Sequence, residues 1–122
     1  MPEKPYHAAI ERLPRETLMD GLVSRSATRT DGSLLVFNWM QPDQPEPAPH
    51  DHPFDQLSVV WSGAIEMELD GDRYTVRGGE LLYIPARVPH SGRAVGPDPA
   101  LILDLFAPAR EDYLHLVEHQ PA

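Results

Sequence analysis

The chain reads as an all-β domain, a small sandwich or barrel with a short helix near its C-terminus. Three observations carry this. Apolar and polar residues alternate in short stretches through the middle of the chain, the signature of half-buried strands. Glycine and proline, 8 and 14 among 122 residues, punctuate those stretches as turns. Helical spacing of apolar residues occurs only near the two ends.

Taken in order, residues 6–13 have the makings of a short helix that Pro14 would end. Residues 1–32 are read as an N-terminal arm. Residues 33–40 form a β-rich run, and residues 41–49, with four prolines, form an exposed loop. Leu57, Val59 and Trp61 alternate with Ser58 and Val60 until Gly63 breaks the run. Ile65, Met67 and Leu69 alternate with Glu66 and Glu68, which read as a solvated face. Asp70-Gly71-Asp72 is a hairpin turn. Tyr74 and Val76 continue the pattern, Gly78-Gly79 turns it, and residues 80–84 form the next strand. A short strand around 91–95 and a strong one over 100–106 complete a barrel core of about 33–107. Phe37, Trp39, Trp61 and Tyr83 read as barrel filling. Pro108 and the acids after it start a helix over about 109–118, with Tyr113, Leu116 and Val117 on one side.

Length favours one domain spanning residues 1–122, and a hydrophobic content of 41% suffices for one core. The absence of cysteine excludes disulfides and thiolate metal sites. A net charge of −9 repels phosphate and argues against nucleic acid as a partner. No apolar run has the roughly 18 residues that span a bilayer. The first residues lack the basic and apolar regions of a signal peptide, so a cytoplasmic, non-membrane protein is expected. The open edges of a small barrel need covering. The N-terminal arm is placed to cover a partner's sheet, and a homodimer is expected.

The chemistry lies in His50, His52, Gln56 and His90. Imidazole is the commonest protein ligand for several transition metals. Residues two apart share one face of a strand, and Gln56 keeps the parity of His50 and His52. Four residues of straight strand span roughly 13 Å, too far for side chains meeting at one ion, so the chain must bend at Pro53-Phe54-Asp55. His90, after the Gly-Gly turn and a strand ending at Pro85, completes a one-metal site. Taken alone, the histidine pair is equally a surface feature and Gln56 a strand residue bonded to backbone.

A second constellation occupies the last strand, where Ile102, Asp104 and Phe106 face one way and Leu101, Leu103 and Leu105 the other. A carboxylate in so apolar a strand costs several kcal/mol unless paired or solvated. Arg110 follows at the helix start. The pair reads either as a structural ion pair or as an acid/base group and an anion clamp. His115 and His119 lie in the second half of the helix and His7 on the surface, outside any ligand set. Arg87 reads as a surface charge or a second anion contact, and Tyr113 as helix packing or a pocket wall.

These motifs resemble the cupin superfamily. The first cupin motif is similar to His50-x-His52, Gln56 and Gly63, and the second to Gly79, Pro85 and His90, with Arg87 where the pattern has glycine. The resemblance covers about residues 33–107 and implies a small jelly-roll barrel with a metal in its mouth. Gln56 stands where many cupin enzymes have glutamate. Three imidazoles and an amide leave the full dication charge, which suits redox-neutral Lewis-acid work. The tail from Asp104 through Phe106, Pro108 and Arg110 to Leu114 further resembles KdgF-type cupins. That family converts 4,5-unsaturated uronates, released by pectin and alginate lyases, to the linear 4-deoxy-5-keto sugar acid. The resemblance implies His50, His52, Gln56 and His90 as ligands of one divalent ion (zinc, nickel, manganese or iron). It also implies functional roles for Asp104, Phe106 and Arg110 on a small anionic sugar acid. A metal-dependent dioxygenase of a small organic acid and a non-catalytic sugar- or metabolite-binding cupin are the other classes open to this sequence.

Overall fold

The computed structural model describes residues 4–121. Among them nine strands run β1 (Glu16–Leu18), β2 (Val23–Arg29), β3 (Leu34–Met40), β4 (Asp55–Ser62), β5 (Ala64–Leu69), β6 (Asp72–Arg77), β7 (Leu81–Ile84), β8 (His90–Ala94) and β9 (Ala100–Ala107). They form a six-stranded sheet in the order β1-β2-β3-β9-β4-β7 and a three-stranded sheet in the order β6-β5-β8. Every pairing within the two sheets is antiparallel.

Side-chain parity decides what each sheet buries. One core cluster joins Val60, Ile84, Ala100 and Ile102 of the large sheet to Ile65, Met67, Leu69, Val76 and Ala94 of the small one. A second joins Ala27, Leu34, Val36 and Phe106 to Leu116 and Val117 of the terminal helix. The terminal helix thus packs against β2, β3 and β9. Turn chemistry agrees: Asp70 and Gly71 have φ of 47° and 92°, as a two-residue hairpin loop requires. Gly63 has φ 77°, and a Cβ there would lie 2.6 Å from the Pro99 carbonyl oxygen, so only glycine fits.

Four expectations change. The terminal helix is a 3-10 helix over Glu111–Val117, because Arg110 is still extended at φ −70° and ψ 123°. At the other end, the expected helix over 6–13 shrinks to one 3-10 turn, Ile10–Arg12.

The described part of the N-terminal arm is largely sheet of its own chain. β2 pairs along its whole length with β3, and Arg15 lies 3.5 Å over the Trp39 ring. Its sequence Val-Ser-Arg-Ser-Ala-Thr-Arg mixes polar residues into both faces, so no apolar period marks it. Arg25 points inward but reaches Glu16, with its guanidinium over Tyr113.

Finally, Trp61 and Tyr83 are not filling. They are 68% and 52% exposed, while Phe37 is buried as expected. On β4 it is Gln56, Ser58 and Val60 that are buried. The apolar set Leu57, Val59 and Trp61 lies outside because the interior holds the polar site.

Candidate metal centre and cavity

The three histidines converge. Their ligand nitrogens all lie within 4.8 Å of one another, close enough to hold one metal ion. The backbone arranges this. His50 and His90 exchange both backbone hydrogen bonds in an isolated bridge, N–H to carbonyl at 2.9 and 2.8 Å. The Arg87 N–H donates to the His52 carbonyl at 2.7 Å. The chain then bends at Pro53 and Phe54 before β4 begins, as the spacing demanded. Arg87 occupies a left-handed conformation, φ 68°, which accounts for the glycine usual at that point of the motif.

Hydrogen bonds set the ring orientations. His52 Nδ1 donates to the Phe54 carbonyl at 2.9 Å, and His90 Nδ1 donates to the Val88 carbonyl at 2.8 Å. In neutral rings the Nε2 atoms therefore carry lone pairs. His90 Nε2 is buried without a partner. His52 Nε2 faces Gln56 Oε1 at 3.0 Å, a second lone-pair atom. Orphaned and opposed acceptors of this kind fit a bound cation. Burial lowers the pKa of both His50 and His90, reinforced by neighbouring histidines and by Arg110, so both rings favour the neutral, ligating form.

Gln56 carries its amide toward the last strand. Its Nε2 donates to Ser58 Oγ at 3.1 Å and to Asp104 Oδ1 at 3.0 Å. Ser58 Oγ also donates to Asp104 Oδ1, and Asn38 Nδ2 donates to Asp104 Oδ2 at 2.8 Å. Burial raises the Asp104 pKa, opposed by the bonds from Ser58 and Gln56 and by the nearby Arg110 charge.

A cavity of about 170 Å³ ties these groups together. His50, Gln56, Ser58, His90, Asn38, Asp104, Phe106, Arg110 and Tyr113 meet in its lining with the apolar Val23, Met40, Ile65, Met67 and Ile102. It is smaller than the roughly 300–1,000 Å³ typical of drug-sized ligand sites, which restricts it to small molecules. Gly92 keeps it open, since a Cβ there would lie 2.4 Å from Met67 Sδ.

Arg110 is the cavity's cation, its side chain 11% exposed. Its guanidinium lies 3.9 Å over Tyr113, 4.8 Å over Phe106 and 4.9 Å over Phe54. Nε and one terminal nitrogen grip Asp112 at 3.0 and 2.7 Å and hold the Asp112 carboxyl below its usual range. The other edge of the fork carries the remaining donors. An Asp104–Arg110 ion pair does not form among the described residues: Arg110 pairs with Asp112, and Asp104 with three neutral donors. Tyr113 serves both readings, packing the helix and lining the cavity. His115 and His119 lie outside the cluster, bonded to Glu16 and to the Ala27 carbonyl.

Sequence reading missed Asn38, Ser58 and Phe54. Asn38 did leave a signal, a lone amide in the apolar run Leu34-Leu35-Val36-Phe37-Asn38-Trp39.

A metal-competent histidine cluster at the mouth of a two-sheet barrel defines the cupin architecture, and the chain belongs to the cupin domain family, whose model matches residues 39–106. Among solved structures it is similar to KdgF from Halomonas sp., at 25% identity and TM-score 0.78, covering 89% of this chain and 98% of that one. An RmlC-like cupin from Shewanella frigidimarina is 24% identical, with TM-score 0.77 and coverage of 90% and 96%. The iron(II) protein HppE shares the fold at 13% identity, with TM-score 0.72 and coverage of 87% and 62%. No curated protein sequence matches the chain. Among the described residues no helix is long and apolar enough to cross a membrane.

Proposed function

We propose that the protein is a redox-neutral metalloenzyme that converts a 4,5-unsaturated uronate to the linear 4-deoxy-5-keto sugar acid. The observation that carries this reading is the single cavity holding a metal-competent cluster, a buried carboxyl and an aromatic-boxed guanidinium. The likeness to the Halomonas KdgF over nearly the whole of both chains supports it.

His50, His52, His90 and Gln56 would hold one divalent ion, which supplies Lewis-acid stabilisation of negative charge on substrate oxygens. The chain's own residues divide the remaining work. The free edge of Arg110 binds the substrate carboxylate, its other edge being fixed by Asp112. Phe106 forms a wall for the sugar ring. Asp104, with its pKa raised by burial, exchanges the proton that links ring opening to ketone formation. The small, partly apolar cavity limits water around these groups.

The test is incubation of metal-loaded protein with unsaturated galacturonate. Loss of the conjugated ultraviolet band faster than the spontaneous rate is expected. A rate equal to the spontaneous one would overturn the reading.

Homodimerisation is part of the same proposal. Leu81 and Tyr83, 62% and 52% exposed, continue the outward stripe of Leu57, Val59 and Leu105 on the open β7 edge. An apolar patch of this kind on a sheet edge suits a second copy related by two-fold symmetry.

A further inference from the structure

We infer that Asp104 is the positioning residue that fixes Gln56 as an oxygen donor toward the histidine cluster, with Asn38 and Ser58 holding the carboxylate in place. The inference rests on the proposal that the cluster binds a metal with Gln56 as a fourth ligand.

A primary amide has one acceptor end and one donor end, and little in its shape distinguishes them. Here the surroundings do. Both hydrogens of Gln56 Nε2 are used, one on Ser58 Oγ and one on Asp104 Oδ1. Turning the amide over would set its oxygen against a carboxylate oxygen at about 3 Å, acceptor against acceptor, in a buried site. The carboxylate thus permits one orientation, with Oε1 toward His52 Nε2 at 3.0 Å. That separation is also what two ligand atoms at right angles on one ion show when each bond is about 2.1 Å.

Asp104 is itself immobilised. Asn38 occupies Oδ2, and Ser58 donates to Oδ1 while accepting from Gln56. Three elements, β3, β4 and β9, therefore meet at one carboxylate whose outlet is the Gln56 amide. The arrangement also explains why an amide stands at position 56. A glutamate there would place a second carboxylate about 3 Å from Asp104, like charges in a buried site.

The experiment measures Zn²⁺ binding to the full chain, at fixed pH, by competition with a chromophoric chelator. Wild-type protein should bind one ion. Asp104→Asn should bind it about 10- to 100-fold more weakly, the usual effect of losing an orienting partner of a ligand. The double variant Asp104→Asn/Gln56→Glu should recover most of that loss. The new asparagine can donate to one oxygen of the new carboxylate and leave the other for the metal. Asn38→Ala, which leaves Asp104 and Gln56 in place, should show a smaller loss and serves if Asp104→Asn fails to fold.

Undiminished affinity in folded Asp104→Asn, or a loss that the double variant does not recover, would overturn the inference and leave the metal proposal standing. If Asp104→Asn does not fold, undiminished affinity in Asn38→Ala overturns it. Absence of Zn²⁺ binding in the wild type would overturn both.

Discussion

The six-stranded sheet has two faces built from the same strands. On the inner face Ile102, Asp104 and Phe106 of β9 stand beside Val60, Ser58 and Gln56 of β4. On the outer face Leu101, Leu103 and Leu105 stand beside Val59 and Leu57, and β7 adds Leu81 and Tyr83. The inner face is the more polar of the two in this region, yet it is the buried one. The outer face is the more apolar, and several of its large residues remain in water. The difference teaches that alternation identifies a strand without saying which side the molecule encloses. A buried polar network reverses the ordinary assignment, provided every member finds a partner. Hydrogen bonds to a charged group contribute about 1.5–3 kcal/mol each, so three donors on Asp104 offset much of its desolvation.

The largest expected effect lies at the inner face. His50→Ala with His90→Ala should abolish metal binding, measured as metal per chain by elemental analysis, while the fold persists by circular dichroism. Full occupancy in that double variant would remove the site from this face.

Next is Arg110→Ala. It should lower kcat/KM on the unsaturated uronate by about 100-fold, equivalent to about 2.7 kcal/mol. Its melting temperature should stay near that of the wild type, because the partner it leaves is the exposed Asp112, and such pairs are worth about 1 kcal/mol or less. A large fall in melting temperature with a proportionate loss of activity would make Arg110 a structural residue instead.

The outer face is broken by Tyr83→Ala. If two copies pair there, truncating an aromatic anchor should weaken association by about 2 kcal/mol, near 30-fold in Kd by sedimentation. Zn²⁺ affinity should not change. A wild-type monomer at micromolar concentration would sink the pairing.

Acidification sharpens the contrast. His50 and His90 have pKa values lowered below 6.5, so these ligands stay neutral to more acidic pH than ordinary histidines. Metal should therefore be retained as pH falls through 6.5 and released only below it. In metal-free protein the unfolded chain takes up these protons first, so stability should decline as pH drops from 6.5 toward the lowered values. Dialysis and thermal melts across that range read both; metal release already complete at 6.5 would contradict the lowered values.

The smallest effect is Arg87→Gly. Relief of the left-handed backbone, partly offset by the greater freedom of glycine in the unfolded chain, should raise stability by about 0.5–1 kcal/mol. Denaturant titration would detect it.

Spacing alone was enough for much of the site. His50, His52 and His90 were legible because imidazoles two apart share a strand face and a turn returns a third. The bend at Pro53 and Phe54 followed from the length four residues span. The hairpin at Asp70-Gly71 followed from the φ values such turns need. β2 was not legible, because Ser, Arg and Thr on both of its faces leave no apolar period. The 3-10 form of the terminal helix was not legible either, since the same acids and apolar spacing suit both helices.

What the sequence by itself determined is therefore local: strand, turn, parity and the residue types a metal needs. Only the tertiary structure decided which face of β4 and β9 turns inward. It also decided that Arg110 pairs with Asp112 rather than Asp104, and that Asn38 and Ser58 close on the carboxylate. Those outcomes depend on cross-strand register between residues as far apart as Asn38 and Asp104. Register is fixed by the pairing of whole strands and the packing of two sheets, not by any short stretch of chain.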